Sequence, residues 1–237
     1  MSNLSRLLKD IKENPVMYID KPSITHLSSF VSGWYFSQIE HFGLNPEGYP
    51  MEGFKEWMQE RAKITVSRSW SEIILFLCHT ERNAFYRFFE EYDKFLKHKN
   101  DSKILEREEK YSPTKDNSKF RQFDIYDEIL KGIKKRPAIY LRTSPITELD
   151  MLLRGYSLSR REVGILPTEP EREFEGFQSW IEEKYGINSG QSWAKIILFY
   201  SVDEHEALQK FFELFEEYLN RNKSSEVDET SGLNREY

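Results

Sequence analysis

Apolar positions in the first hundred residues recur at three- and four-residue spacing, in blocks separated by helix breakers. Leu4, Leu7, Leu8 and Ile11 share one helical face, and Asn14-Pro15 ends that block. Pro22-Ser23 opens a long helix with Ile24, Leu27, Phe30, Val31, Trp34, Tyr35 and Ile39 on its apolar face and Gly43 as its stop. Asn45 to Pro50 is a turn-rich loop. Phe54, Trp57 and Met58 mark a further helix. Ser69-Trp-Ser-Glu72 has capping-box form and opens another through Ile73, Ile74 and Phe76. Thr80 caps the last, whose inner face carries Ala84, Phe85, Phe88, Phe89, Tyr92, Phe95 and Leu96. Val16–Ile19 reads as a short extended segment, and Ile139–Leu141 is a candidate strand of the same kind.

The pattern is written twice. Pro15-Val-Met-Tyr18-Ile answers to Pro137-Ala-Ile-Tyr140-Leu, Ile24-Thr-His-Leu27 to Ile146-Thr-Glu-Leu149, and Gly33-Trp34 to Gly155-Tyr156, all at an offset of 122. After one lost residue the offset is 123. Gly53-Phe54 and Trp57 then match Gly176-Phe177 and Trp180, and Ser69-Trp70 with Ile73-Ile74 matches Ser192-Trp193 with Ile196-Ile197. Ala84, Phe88, Phe89 and Leu96 match Ala207, Phe211, Phe212 and Leu219. Shared positions are mostly apolar, aromatic, Gly or Pro, which is the signature of architecture. In the second copy Asp203-Glu-His-Glu206 has capping-box form. The expected fold is all-α: two tandem homologous helical domains of about five helices each, packed as a pseudo-two-fold pair or strung as independent beads. Residues 1–97 form the first repeat, 98–122 a polar linker, 123–220 the second repeat and 221–237 a flexible tail.

Composition sharpens this. Charged residues make up 31% and mean hydropathy is −0.69, yet aromatics reach 15%, enough to anchor two cores. The longest apolar stretch, Ile73 to Cys78, is far too short to span a membrane, and Met1-Ser-Asn-Leu-Ser-Arg has no apolar signal region. One cysteine, Cys78, excludes an internal disulfide and fits a reducing cytoplasm.

Charge is uneven. The first repeat has 12 basic and 13 acidic side chains, the second 12 and 18. An acidic second repeat repels nucleic acid and attracts a basic partner; it also serves plain solubility. The basic triplet Lys134-Lys135-Arg136 could touch phosphate, but its surroundings are acidic and the aromatics read as core.

No catalytic constellation emerges. His205-Glu206 begins like a zinc-protease helix, but position 209 is Gln. Cys78 lacks a facing base and reads as a small buried hydrophobe, so neither a catalytic residue, a metal nor a cofactor is expected. Glu169-Pro-Glu171-Arg-Glu173-Phe-Glu175 places four carboxylates in a loop and the start of a helix, and Glu182-Glu183 follow. The first repeat has far less charge there. A divergent acidic loop on a shared scaffold is where partner choice resides. It is equally what helix-dipole complementarity would give.

Each repeat also resembles, along its whole length, a family of small bacterial cytosolic proteins. The order is Arg-Pro, then hydrophobic-Tyr-hydrophobic, a helix ending near Gly-Trp/Tyr, Phe-x-x-Trp, Ser-Trp with Ile-Ile, and Ala before Phe-Phe-Glu; here it runs Arg136-Pro137-Ala-Ile-Tyr140-Leu141 to Ala207 and Phe211-Phe212-Glu213. The chain departs from it at Asp20 and Arg142, where Gly is common, and at Asn14 in place of Arg. The family is associated with immunity proteins of polymorphic toxin systems and brings no catalytic residues. The resemblance implies a non-catalytic protein that neutralises a toxin domain; the acidic surface then offers Glu169, Glu171, Glu173, Glu175, Glu182 and Glu183 as the partner-binding residues and suits a basic toxin as the partner. Two other readings stay open: a ligand-binding protein or enzyme with a site between the repeats, and a scaffold or oligomerisation module.

Overall fold

The computed structural model describes residues 3–42, 49–105, 126, 129–142 and 145–221. Among them every regular element is a helix, and no helix is long and apolar enough to cross a membrane. Gly43, Asn45–Gly48, most of the expected linker and the tail beyond Arg221 lie outside the described residues. The chain divides into two compact units. Unit 1 is residues 1–122 with 151–159, and unit 2 is 123–150 with 160–237.

Unit 1 contains α1 (Asn3–Glu13), α2 (Pro15–Ile19), α3 (Ile24–Phe42), α4 (Phe54–Ala62), α5 (Trp70–Cys78) and α6 (Glu81–Leu105). Unit 2 contains α7 (Leu130–Lys135), α8 (Pro137–Tyr140), α10 (Glu169–Glu175), α11 (Phe177–Tyr185), α12 (Trp193–Phe199) and α13 (Glu204–Asn220). The long helix α9 (Pro145–Glu162) gives its middle to unit 1 and its ends to unit 2.

The two candidate extended segments are the helices α2 and α8. Pro15 and Pro137 occupy the first helical turn, where a fixed φ suits the helix and the missing N–H is no loss. The preceding Asn14 and Arg136 sit outside helical space, as a residue before proline prefers. Met17 N–H then closes a turn onto the Asn14 carbonyl at 3.1 Å, and Ile139 N–H onto the Arg136 carbonyl at 3.2 Å. The first repeat also runs beyond residue 97. The helix α6 continues to Leu105, and the His98 ring lies 4.8 Å from Trp57.

Each unit builds its core around the same aromatic trio. In unit 1 Trp70 lies 4.9 Å from Phe88 and 5.9 Å from Phe54. In unit 2 Trp193 lies 4.7 Å from Phe211 and 5.9 Å from Phe177, their counterparts at an offset of 123. Offset and edge-to-face pairs of this kind add to the burial that drives the fold. Unit 2 adds Phe174, 5.8 Å from Trp193, where unit 1 has the buried Met51. Trp193 is buried accordingly, while Trp70 is half-buried.

Within unit 1, α3 crosses residues 151–159 at glycine. A Cβ on Gly33 would collide with the Leu152 carbonyl oxygen, and one on Gly155 with that of Phe30. Phe30 and Leu152 are themselves repeat counterparts, so the contact is reciprocal. Only glycine admits backbones this close. Beside the crossing Gln38 donates to Ser159 Oγ at 2.7 Å, Tyr156 donates to a Glu40 carboxylate oxygen at 2.5 Å, and Arg154 meets Asp20 at 2.8 Å. Asp20 holds φ at 64°, a left-handed value that glycine adopts without strain.

Candidate functional site

The expected acidic loop is a helix of its own. Thr168 accepts from Glu171 N–H, and the Glu171 carboxylate accepts from Thr168 N–H, so α10 opens with a complete capping box. This separates the six carboxylates. Glu171 faces inward, 7% exposed, and Arg160 holds it by an ion pair at 3.1 Å. It is an internal strut, available to Arg160 and Thr168 and not to a partner. Glu173 is half-buried and pairs with Arg221 at 2.6 Å. Glu169 is exposed and meets Arg172 at 3.4 Å. Glu182 accepts from Gln178 at 2.8 Å. Glu175 and Glu183 are exposed and have no cationic partner among the described residues. The surface strip on α10 and α11 is therefore Glu169, Glu175, Glu182 and Glu183, with Glu173 at its edge. In unit 1 position 60 keeps the carboxylate of Glu183 and position 59 is Gln; Glu52 answers Glu175.

A second surface recurs in both units. It is organised by a carboxylate clasp. The Glu81 carboxylate, at the start of α6, accepts from Thr25 N–H at 3.0 Å, Thr25 Oγ1 at 2.8 Å and Ser23 Oγ at 2.6 Å. The same clasp recurs in unit 2, where Glu204 accepts from Thr147 N–H at 3.1 Å and Thr147 Oγ1 at 2.7 Å. In each case the first residue of one long helix satisfies an orphan N–H at the head of another. Burial alone would raise the Glu81 carboxyl, but the bonds from Ser23 and Thr25 outweigh it and hold the group below the usual carboxylate range. Beside it His26 is buried, with Nδ1 2.8 Å from the Ile19 carbonyl oxygen, and desolvation lowers its pKa. Unit 2 has Glu148 at that position, which accepts from Arg142 N–H at 3.0 Å.

The clasp draws the end of α2, the head of α3 and the turn from α5 to α6 to one end of unit 1. Lys12, at the end of α1, lies over the Phe89 ring of α6. Large apolar side chains stand in water at this end: Met17 is 80% exposed and Phe76 69%, with Leu77 and Tyr86 also exposed. In unit 2 the counterparts are Ile139, 67% exposed, Phe199, 78%, and Tyr200, joined by Val202 at 91%. Helical spacing groups Phe76 with Ile73 and Ile74, yet Phe76 stands in water. The legible signal is that Met17/Ile139, Phe76/Phe199 and Leu77/Tyr200 stay large and apolar in both copies at positions open to solvent.

The remaining candidate chemistry is structural. Cys78 is half-buried and burial pushes its thiol up, away from the nucleophilic thiolate. Asp203 caps α13 by accepting from His205 and Glu206 N–H, both at 2.8 Å. The expected capping box there is only half formed, since the Glu206 carboxylate takes Val202 N–H instead. His205 is exposed in the first helical turn. Among the described residues no group of three or more His, Cys, Asp or Glu could hold a metal ion. Compared with protein-family models, curated proteins and solved structures, the chain matches none.

Proposed function

We propose that this chain is a non-catalytic protein-binding module of the bacterial cytoplasm, and in its most concrete form an immunity protein that neutralises a basic toxin domain. The observation that carries this reading is the α10–α11 strip. Glu175 and Glu183 are exposed carboxylates without a cationic partner among the described residues, on the second repeat, residues 123–220, which holds 18 acidic against 12 basic side chains. A cationic partner gains from such a strip twice: by faster encounter through long-range attraction, and by orientation on contact. The resemblance to toxin-immunity proteins supplies the biological context. Because Glu171 is tied to Arg160, the binding residues of this reading are Glu169, Glu173, Glu175, Glu182 and Glu183.

The test is affinity capture of the tagged chain from its host with the neighbouring reading frames co-expressed, followed by growth rescue. A stoichiometric complex with a toxin-like product is expected. In that complex the Glu175→Lys/Glu183→Lys double variant should associate several-fold more slowly at low salt, with dissociation little changed. Capture of no partner would sink the immunity reading. Unchanged kinetics in the double variant would remove the strip from it.

A further inference from the structure

The two repeats share an apolar frame but reverse the charge along one seam. On α11 and just past its end, Gln178, Glu182 and Gly186 follow at four-residue spacing, which sets them along one side of the helix. Their unit 1 counterparts, on α4 and just past it, are Lys55, Gln59 and Lys63. Two lysines and a neutral glutamine in unit 1 thus become one carboxylate and two uncharged residues in unit 2. Gly186 and Lys63 hold the same left-handed backbone, with φ at 62° and 54°, so the turn is kept while the cation is lost. A Cβ added at Gly186 meets no atom within 4 Å, so this side of the seam is open.

The same seam gains two rings. Gln178 donates to the Gln191 carbonyl at 3.0 Å and accepts from Trp193 N–H at 2.6 Å. Seven residues beyond Gln178 and Trp193, Tyr185 stacks on Tyr200 with centroids 4.6 Å apart, so α11 and α12 lie side by side along this line. Unit 1 has Ala62 and Leu77 in those places. Tyr200 is exposed and Tyr185 half-buried, and Phe199 widens the patch, 5.2 Å from Tyr200 and at 89° to it. Glu182, one turn before Tyr185, is fixed by the Gln178 amide at 2.8 Å, a neutral donor that orients the carboxylate and leaves its charge in place. The cations nearby are already engaged. Lys184 pairs with Glu217 at 2.6 Å and lies over Trp180, Lys210 pairs with Glu206 at 3.1 Å, and Lys195 has a partner of its own.

We infer that the seam of Glu182, Tyr185 and Tyr200 receives an arginine side chain of the partner, its guanidinium laid against the tyrosine pair and bonded to Glu182. The inference rests on the reading of unit 2 as the face for a cationic partner, and names the anchor on that face. A planar, weakly hydrated guanidinium serves both contacts at once, stacking on a ring while its edge meets a carboxylate. A lysine ammonium, compact and strongly hydrated, gains less from the rings. Unit 1 refuses the same side chain, because Lys55 and Lys63 repel it and no ring waits at Ala62 or Leu77. Duplication then leaves one repeat that binds and one that does not.

Fluorescence anisotropy of labelled hexa-arginine and hexa-lysine peptides, titrated with the full chain at low salt, reads this directly. Wild type should hold the arginine peptide about fivefold more tightly than the lysine peptide. The variants restore unit 1 residues, which the shared frame already accommodates, and matching circular dichroism checks that they fold. Tyr185→Ala/Tyr200→Leu should weaken the arginine peptide about fivefold and abolish the preference. Glu182→Gln/Gly186→Lys should weaken both peptides about tenfold. Glu175→Lys, beyond the other end of α11, should weaken both slightly and leave the preference intact. Equal affinity of the wild type for the two peptides would overturn the inference, and so would a preference that survives loss of both tyrosines. Toxin capture is a separate readout: its failure removes the immunity reading and leaves the arginine preference standing.

Discussion

Unit 1 and unit 2 start from the same sequence plan and solve the same local problem with different charges. Where unit 1 places His26 beside the clasp, unit 2 has Glu148 tied to Arg142. Where unit 1 places Gln38, donating to Ser159, unit 2 has Arg160 braced against Glu171. The apolar frame is held constant, Phe54, Trp70 and Phe88 against Phe177, Trp193 and Phe211. The lesson is that packing constrains the frame through shape, which few residues satisfy, while buried polar positions need only an internal partner and can exchange one pair for another.

The comparison can be broken first at the shared tryptophan. Trp193→Ala should cost about 3–5 kcal/mol, and Trp70→Ala visibly less, because Trp70 keeps partial contact with water. Urea midpoints of the two variants check this, and equal losses would mean that the trios are equivalent in energy as well as geometry. Next is the pair that only unit 2 has. Glu171→Gln removes the charge from a buried ion pair, a loss of about 1–3 kcal/mol, whereas Glu175→Lys on the same helix should stay within about 0.5 kcal/mol. Thermal unfolding of both separates the strut from the strip.

The glycine crossing sharpens the likeness between copies. Gly33→Ala and Gly155→Ala should each cost about 3 kcal/mol, the upper end of overpacking, because backbone stands in the way of each Cβ. The double variant should cost much less than the sum, since either substitution alone already opens the shared crossing. A double-mutant cycle in urea measures the coupling.

A smaller effect distinguishes the two clasps by pH. The His26 pKa is lowered in the folded chain, so the unfolded chain takes up the proton first, and stability falls as pH drops from about 6.5 through the folded value. Glu81 is also lowered, so its contribution is present above about 4.3 and is lost as pH falls through its folded value. His26→Gln should remove the upper of these two steps and leave the lower. Unfolding free energies of both proteins between neutral pH and pH 4 read the difference, and an unaltered upper step would assign it to another group.

Much of this fold is legible from the chain. The period of the apolar residues gives the long helices, Ser69 and Glu72 give a capping box formed in full, and the duplication identifies both aromatic trios. Short proline-headed segments are not legible as helix, because four or five residues carry no period; local bonds after Pro15 and Pro137 decide them. The surface is legible only in part. A run such as Glu169 to Glu175 announces negative charge but not direction: Thr168 and Arg160 hold Glu171 inward while Glu175, one turn on, faces water.

By itself, then, the sequence determined what depends on neighbours three or four residues away: helix, cap, and the identity of the two apolar frames. It also determined the acidity of the second repeat, which is a sum over residues and needs no coordinates. Tertiary structure alone decided what depends on partners more than fifty residues distant. Glu81 reaches back to Thr25, and Gly33 meets the Leu152 carbonyl. Phe76 and Phe199 stand in water, with no covering element among the described residues. Period assigns a residue to a face of its own helix, and only the packing of other helices decides whether that face is covered.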